Sequence, residues 1–207
     1  MAITFKSPGV IITYKDYKEA DRLYTIYTLN YGKLHLRAVG VKKIKSKLSG
    51  HLEPLCESDL FMAKSKTISI IGGARIINSH KKIKLDIDKI RIINYCLAIF
   101  NDLVLEEQAD EELYCLLTGL LDFANSYSIN ELIEISFVLK LLNNLGLQPN
   151  YSDYNNDLAK ILSFLSRDDF ASVSRLRLTQ KQWVILNNTF INLIKINQNK
   201  EFTKLVK

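Results

Sequence analysis

The chain has 207 residues, of which 47% are hydrophobic and 24% charged, with 8 Gly, 3 Pro and 3 Cys. That balance excludes an intrinsically disordered, collagen-like or disulfide-stapled chain, and the length suits one large domain or two small ones. The net charge of +6 is unevenly spread: residues 1–82 hold 15 Lys/Arg against 6 Asp/Glu, whereas residues 83–207 hold 13 against 16. Two unlike halves imply two modules, one of which meets a polyanion. No apolar run approaches the roughly 18 residues of a membrane span. Met1–Lys6 lacks the charged leader and apolar core of a signal peptide, so the cytoplasm is the expected compartment.

The first 80 residues read as strands. Val10–Tyr14 is a β-branched and aromatic run after Pro8-Gly9, and Leu23–Leu29 suits a pleated sheet. Asn30-Tyr31-Gly32-Lys33 is a turn signal. Lys33–Val41 alternates, with Leu34, Leu36 and Ala38 on one face and Lys33, His35, Arg37 and Val39 on the other. Leu55–Ala63 and Thr67–Ile77 complete five short strands, the size and spacing of a small antiparallel barrel of the OB type.

After Lys84 the period becomes helical. Asp86 is placed to cap a helix reaching Val104, and Asp110–Tyr127 continues the pattern. Ser128-x-x-Glu131 reads as a capping box for a helix running to Leu145 and stopped by Gly146. Asn156–Leu165 reads as a short helix, and Thr179-x-x-Gln182 caps a last one running to about Asn197. The expected fold class is therefore α+β: residues 1–80 an N-terminal five-stranded OB-fold β-barrel, residues 81–207 an all-helical C-terminal domain. Lys81, Lys82 and Lys84 read as a solvated linker, with extension of a basic track as the alternative.

Enzymatic chemistry is poorly provided for. Gly72-Gly73 does not make a phosphate-cradling loop. His35, His51 and His80 are too scattered for a metal triad, and no Ser-His-Asp set can be read from sequence. Cys56, Cys96 and Cys115 have no Cys-x-x-Cys spacing, and Cys96 and Cys115 fall among helical apolar residues where buried thiols are usual. Glu106-Glu107 and Glu111-Glu112 read as solvated helix ends. The expectation is no catalytic residue, no metal and no cofactor.

The strongest local feature is Lys42-Lys43-Ile44-Lys45-Ser46-Lys47, four lysines in six residues after the alternating strand. Such a loop attracts phosphate and releases condensed counterions, giving salt-sensitive affinity that ignores sequence. Tyr24, Tyr27 and Tyr31 lie on or beside the preceding strand, and aromatics interleaved with cations are the components of a single-strand groove. The bland alternative is a solvated loop, with the tyrosines filling the barrel.

At this loop the chain resembles RecO, the bacterial recombination mediator family. The resemblance runs through Tyr14-Lys15-Asp16-Tyr17-Lys18-Glu19-Ala20-Asp21-Arg22-Leu23 and Tyr31-Gly32-Lys33-Leu34. It continues through Ala38-Val39-Gly40-Val41-Lys42-Lys43, Ser46-Lys47-Leu48-Ser49-Gly50 and Leu52-Glu53-Pro54-Leu55, and more loosely through Asp86–Val104, Glu112–Leu121 and Phe137–Pro149. Many members carry a four-Cys zinc module after the last segment. Here the stretch reads Asn150-Tyr151-Ser152-Asp153-Tyr154-Asn155, so this chain is similar to a shortened, zinc-free member.

The resemblance implies binding to single- and double-stranded DNA and annealing of complementary strands. It also implies help in loading RecA on DNA coated by single-stranded-DNA-binding protein. The implied partners are RecR and the acidic C-terminal tail of that coating protein, and the implied place is the bacterial cytoplasm, at the nucleoid during repair. The residues expected to hold DNA are Arg37, Lys42, Lys43, Lys45 and Lys47, with Lys33 and Lys6 as lesser members. Arg175, Arg177 and Lys181 are the candidates for an acidic partner tail. Two other readings stay open: an OB-fold RNA-binding protein and a protein-interaction scaffold.

Overall fold

A computed structural model describes residues 3–204, with side chains through residue 197. Two compact units divide it: residues up to Lys81 together with Leu105–Asp122, and Lys82–Val104 together with Phe123 onward.

In the first unit, β1 (Thr4–Tyr17), β2 (Asp21–Thr28), β3 (Gly32–Ala38), β4 (Glu57–Ala63) and β5 (Ile70–Asn78) close a barrel in the order β1-β2-β3-β5-β4. The neighbours pair antiparallel except β3 and β5, which meet in parallel at Arg37 and Ile70. This is the five-stranded OB-fold. β1 extends well beyond the expected Val10–Tyr14 on both sides because it serves two ladders. Thr4–Val10 pairs with β4, Gly9–Tyr17 pairs with β2, and a register shift between Ile11 and Thr13 turns the strand around the barrel corner. Pro8-Gly9, placed before the expected strand, lies within it: Pro8 pairs with Asp59, and Gly9 with Ser58 and Thr28.

The barrel interior holds Ile11, Tyr24, Ile26, Leu36, Ala38, Val41, Leu52, Leu60, Met62 and Ile71. On β3 the inward face is as expected, with Leu36 and Ala38 buried. The outward face is not uniformly open. His35 is exposed, but Lys33 is buried. The cause is the segment after residue 104. The Glu107 N–H donates to the Lys33 carbonyl at 3.0 Å, Lys33 and Glu106 form a parallel bridge, and the Tyr27 hydroxyl donates to the Asp110 carbonyl at 3.3 Å. Glu106-Glu107 is therefore a short strap beside Lys33, bridged at Glu106 and turning at Glu107 with φ +56°; its side chains are exposed as expected, but it is not a helix end. Burial pushes the Tyr27 phenol up to about 12. Gly32 adopts φ +67°, and a Cβ there would lie 2.1 Å from the Gln108 carbonyl oxygen, so the strap requires glycine at this turn.

The helices are α1 (Ile87–Leu103), α2 (Glu111–Ser126), α3 (Glu131–Asn144), α4 (Asn156–Arg167), α5 (Phe170–Arg175) and α6 (Gln180–Lys204). Residues 111–122 of α2 fall in the first unit. The second unit is built on α3, whose Leu132, Ile133, Ile135, Phe137, Val138, Leu139, Leu141 and Leu142 are all buried. α1, α4 and α5 pack on α3, and α6 packs on α1 and α4. Asp86 caps α1 as expected, its carboxylate accepting from the N–H groups of Asp88 and Lys89. The Thr179/Gln182 box closes reciprocally at the start of α6. At α3 the cap is Asn130, which accepts from Leu132 N–H, and not Ser128. Asn competes equally well for that position, and the helix begins later than the Ser-x-x-Glu spacing suggests. α5 is a six-residue helix capped by Asp169, too short to show a period. Cys96 is buried but Cys115 is exposed. Among the described residues no helix is long and apolar enough to cross a membrane.

Candidate nucleic-acid interface

The lysine loop leaves β3 at Gly40, whose φ of +65° bends the chain without a steric penalty. It is then pinned at both ends. Val41 is buried, Lys42 N–H donates to the Ala20 carbonyl at 3.0 Å, and Ser46 N–H donates to the Lys43 carbonyl at 2.9 Å. Leu48 packs against the barrel core and Leu52 enters it. Between these anchors Lys43, Lys45 and Lys47 are exposed and make no ion pair with any described residue. Ile44 stands fully exposed among them.

Lys42 behaves differently. Its ammonium donates to Asp16 Oδ2 at 2.7 Å. Asp16 lies near the end of β1, opposite Arg22 of β2 in the ladder. Arg22 Nε donates to Asp16 Oδ1 at 3.3 Å, and the guanidinium lies over the Tyr14 ring, 4.0 Å from its centroid. Tyr14 is 37% exposed, and the buried Tyr24 sits beside it at a centroid distance of 5.5 Å. The Lys42 hydrogen bond, helped by Arg22, holds the Asp16 carboxyl below the usual carboxylate range. Burial raises the Tyr24 phenol, against the opposing pull of Arg22.

The aromatic expectations divide. Tyr24 and Tyr27 are wholly buried, and Tyr31 remains 39% exposed, edge-on to Phe5 at 5.0 Å. Tyr14, which strand propensity assigned only to the sheet, is an exposed ring that carries a cation, at 4.0 Å the shortest such distance among the described residues. The signal that identifies it is cross-strand register: pairing Asp16 with Arg22 places Tyr14 opposite Tyr24.

The remaining cations are dispersed. Arg37 donates to Asp21 Oδ2 from Nε at 2.8 Å and from Nη2, while Asp21 Oδ1 accepts the Gly40 N–H at 2.7 Å. The Gly40 hydrogen bond first, and Arg37 second, lower the Asp21 carboxyl. Arg37 is thus held by the turn between β1 and β2, with its guanidinium 5.4 Å from the Tyr17 ring. Lys33 is buried under the strap. Lys6 is exposed on the β1–β4 ladder, its ammonium 5.8 Å from the Phe61 ring. Of the seven residues expected to hold DNA, the structure gathers Lys43, Lys45 and Lys47 on one loop with Lys42 beside them. It does not bring Arg37, Lys33 or Lys6 to that loop as free cations.

In the second unit, Arg177 Nη1 donates to the carbonyls of Ser174 and Leu176, which closes the C-terminal end of α5. Arg177 lines a shallow groove with Leu132 and Trp183, whereas Lys181 lines another, of about 300 Å³, with Leu158, Ile161 and Ile185. Arg175 belongs to neither groove. Arg177 and Lys181 therefore line different grooves. No group of three or more His, Cys, Asp or Glu is placed to hold a metal ion among the described residues.

A closed five-stranded barrel with a free lysine loop, followed by a helical unit on its own core, defines an OB-fold protein with an appended helical module. The chain belongs to the recombination protein O family: residues 1–80 match its N-terminal model and residues 84–153 its C-terminal model. Relatives described as DNA repair protein RecO agree. That of Clostridium perfringens is 27% identical over 203 residues, 97% of this chain and 82% of the relative. That of Dehalococcoides mccartyi strain CBDB1 is 32% identical over 152 residues, 73% and 60% of the two chains. That of Syntrophomonas wolfei is 28% identical over 144 residues, 70% and 58%. The chain thus spans less than two thirds of the length of the latter two relatives.

Proposed function

We propose that this chain is a DNA-binding recombination mediator acting in DNA repair, without catalytic residues of its own. Its barrel, residues 1–80, is the nucleic-acid module, and the helical domain from residue 81 is the partner-binding module. In this reading the chain anneals complementary single strands and helps load RecA on DNA coated by single-stranded-DNA-binding protein. Its partners are RecR and that protein's acidic tail, in the bacterial cytoplasm.

One observation carries the reading. Lys43, Lys45 and Lys47 are exposed, make no ion pair with any described residue, and sit on a loop anchored by Val41 and Leu52. Three positioned cations with nothing to neutralise suit a phosphate backbone, and annealing requires only that repulsion between two such backbones be screened. The names of the relatives supply the DNA context. In the helical domain Arg177 and Lys181 line different grooves, so an acidic tail lying in one groove would meet one of these two cations there.

The test is equilibrium binding to a fluorescent single-stranded DNA oligonucleotide across a salt series, with RNA and duplex DNA in parallel. Changing Lys43, Lys45 and Lys47 together to Gln is expected to weaken binding. It should also flatten the salt slope by roughly 2, at about 0.7 for each phosphate no longer neutralised. Unchanged affinity and slope would remove the loop from the site. Tighter binding to RNA than to DNA would favour the RNA-binding alternative.

A further inference from the structure

Two cations from different segments converge on one carboxylate at the edge of the lysine loop. Lys42 Nζ lies 2.7 Å from Asp16 Oδ2, and Arg22 Nε lies 3.3 Å from Asp16 Oδ1. The Asp16 side chain remains 60% exposed, so it is not buried as part of a core ion pair. Arg22 is pre-oriented from beneath by the Tyr14 ring at 4.0 Å, and the Lys42 main chain is fixed by its N–H bond to the Ala20 carbonyl, which sets where the ammonium starts from. Two donors aimed at two oxygens of a small, exposed anion form the geometry in which a phosphodiester is held.

We propose that Arg22 and Lys42 form a phosphate subsite for single-stranded DNA, and that Asp16 is an internal competitor occupying it in the free protein. The inference rests on the barrel reading above and adds to it a named subsite and a brake. Incoming phosphate displaces the Asp16 carboxylate. Arg22 is already ordered by Tyr14 and Lys42 leaves an anchored backbone, so the exchange trades one anion for another with less ordering than two free side chains would need. The displaced carboxylate remains next to the bound strand and repels it. Affinity is thereby kept below what the cations alone would give, which suits a protein that must release the strand. Tyr14 is a positioning residue, acting through Arg22.

The test uses the full chain with Asp16→Asn, which removes the charge but keeps the side chain's size. The variant is expected to bind a single-stranded oligonucleotide roughly two- to fivefold more tightly, the scale of an exposed ion pair. Its salt slope should steepen by up to about 0.7, the increment for one neutralised phosphate. The gain should vanish when Arg22→Gln and Lys42→Gln are also present. Tyr14→Ala should weaken binding more than Tyr14→Leu, since leucine retains part of the packing beneath Arg22. Asp16→Ser serves as a second variant should the amide impair folding. Unchanged or weaker binding by both Asp16 variants overturns the proposal, as does a gain that persists without Arg22 and Lys42. If wild-type protein binds and the three loop lysines matter, such a failure leaves the barrel reading standing. If wild-type protein does not bind at all, both fall together.

Discussion

Arg37 directs two hydrogen bonds at one carboxylate oxygen of Asp21, whose other oxygen accepts the Gly40 N–H. This single side chain ties the turn that ends β1 to the exit of β3, where the lysine loop begins. Asp21 is only 8% exposed, so the arginine cannot leave without stranding a sheltered charge. An arginine that reads as a DNA contact in sequence is a brace for the loop that carries the free lysines.

Arg37 is expected to affect stability more than DNA binding. The paired change Arg37→Gln with Asp21→Asn should leave the salt slope of single-strand binding unchanged, while either single change lowers the thermal unfolding midpoint. A slope reduced by about 0.7 in the double variant would return Arg37 to the phosphate-binding set.

Stability should fall in acid for a traceable reason. Asp21 and Asp16 both have carboxyl groups held below their ordinary value of 3.8, the first chiefly by Gly40 N–H and the second chiefly by Lys42. A depressed carboxylate stabilises the fold fully above its unfolded value, and that contribution is lost as pH falls through the lower folded value. Urea midpoints measured from pH 7 to pH 2.5 should drop below about pH 4. In Asp21→Asn the midpoint should start lower at pH 7 and decline less in acid. An equal decline in variant and wild type would contradict this assignment.

His80 is expected to be a structural residue of the first unit. Its side chain is buried, with Nδ1 2.6 Å from the Leu55 carbonyl oxygen and Nε2 3.1 Å from Asp122 Oδ1. Both ring nitrogens thus face oxygen acceptors, one of them a backbone carbonyl. His80→Ala should cost about 1–3 kcal/mol, chiefly from the Leu55 carbonyl left without its partner, since Asp122 is exposed and keeps its bond from Asn78. Amide exchange should accelerate near Leu55 and the end of β5, and exchange confined to other strands would oppose the assignment.

Phe137 lies at the centre of α3, wholly buried and 6.4 Å from Phe100 between ring centroids. Phe137→Ala should destabilise the second unit by about 3–5 kcal/mol in urea unfolding. Single-strand affinity below the transition should be unchanged if the barrel alone contacts DNA, and a parallel loss of affinity would assign the helices a direct part.

Much of this organisation is legible residue by residue. Alternation on β3, the helical period after Lys84, the Asp86 cap and the Thr179/Gln182 box are local features, each set by neighbours within a few positions. Glu106-Glu107 shows the opposite case. Nothing nearby in the chain distinguishes a solvated acidic pair from a strap, because its partner is Lys33, more than seventy positions away. The long β1 is similar. Its flanks lack a strand-like composition and become strand only by pairing with β4 on one side and β2 on the other.

Propensity, periodicity and short motifs act over a few residues, and they are enough to set the two-module plan, the barrel, the family and the basic loop. Which cations are free is a property of the folded chain. Lys42 meets Asp16 across 26 positions and Arg37 meets Asp21 across 16, whereas Lys43, Lys45 and Lys47 meet no described carboxylate. A charge is available to a ligand only when no closer counter-charge holds it, and the fold sets that distance.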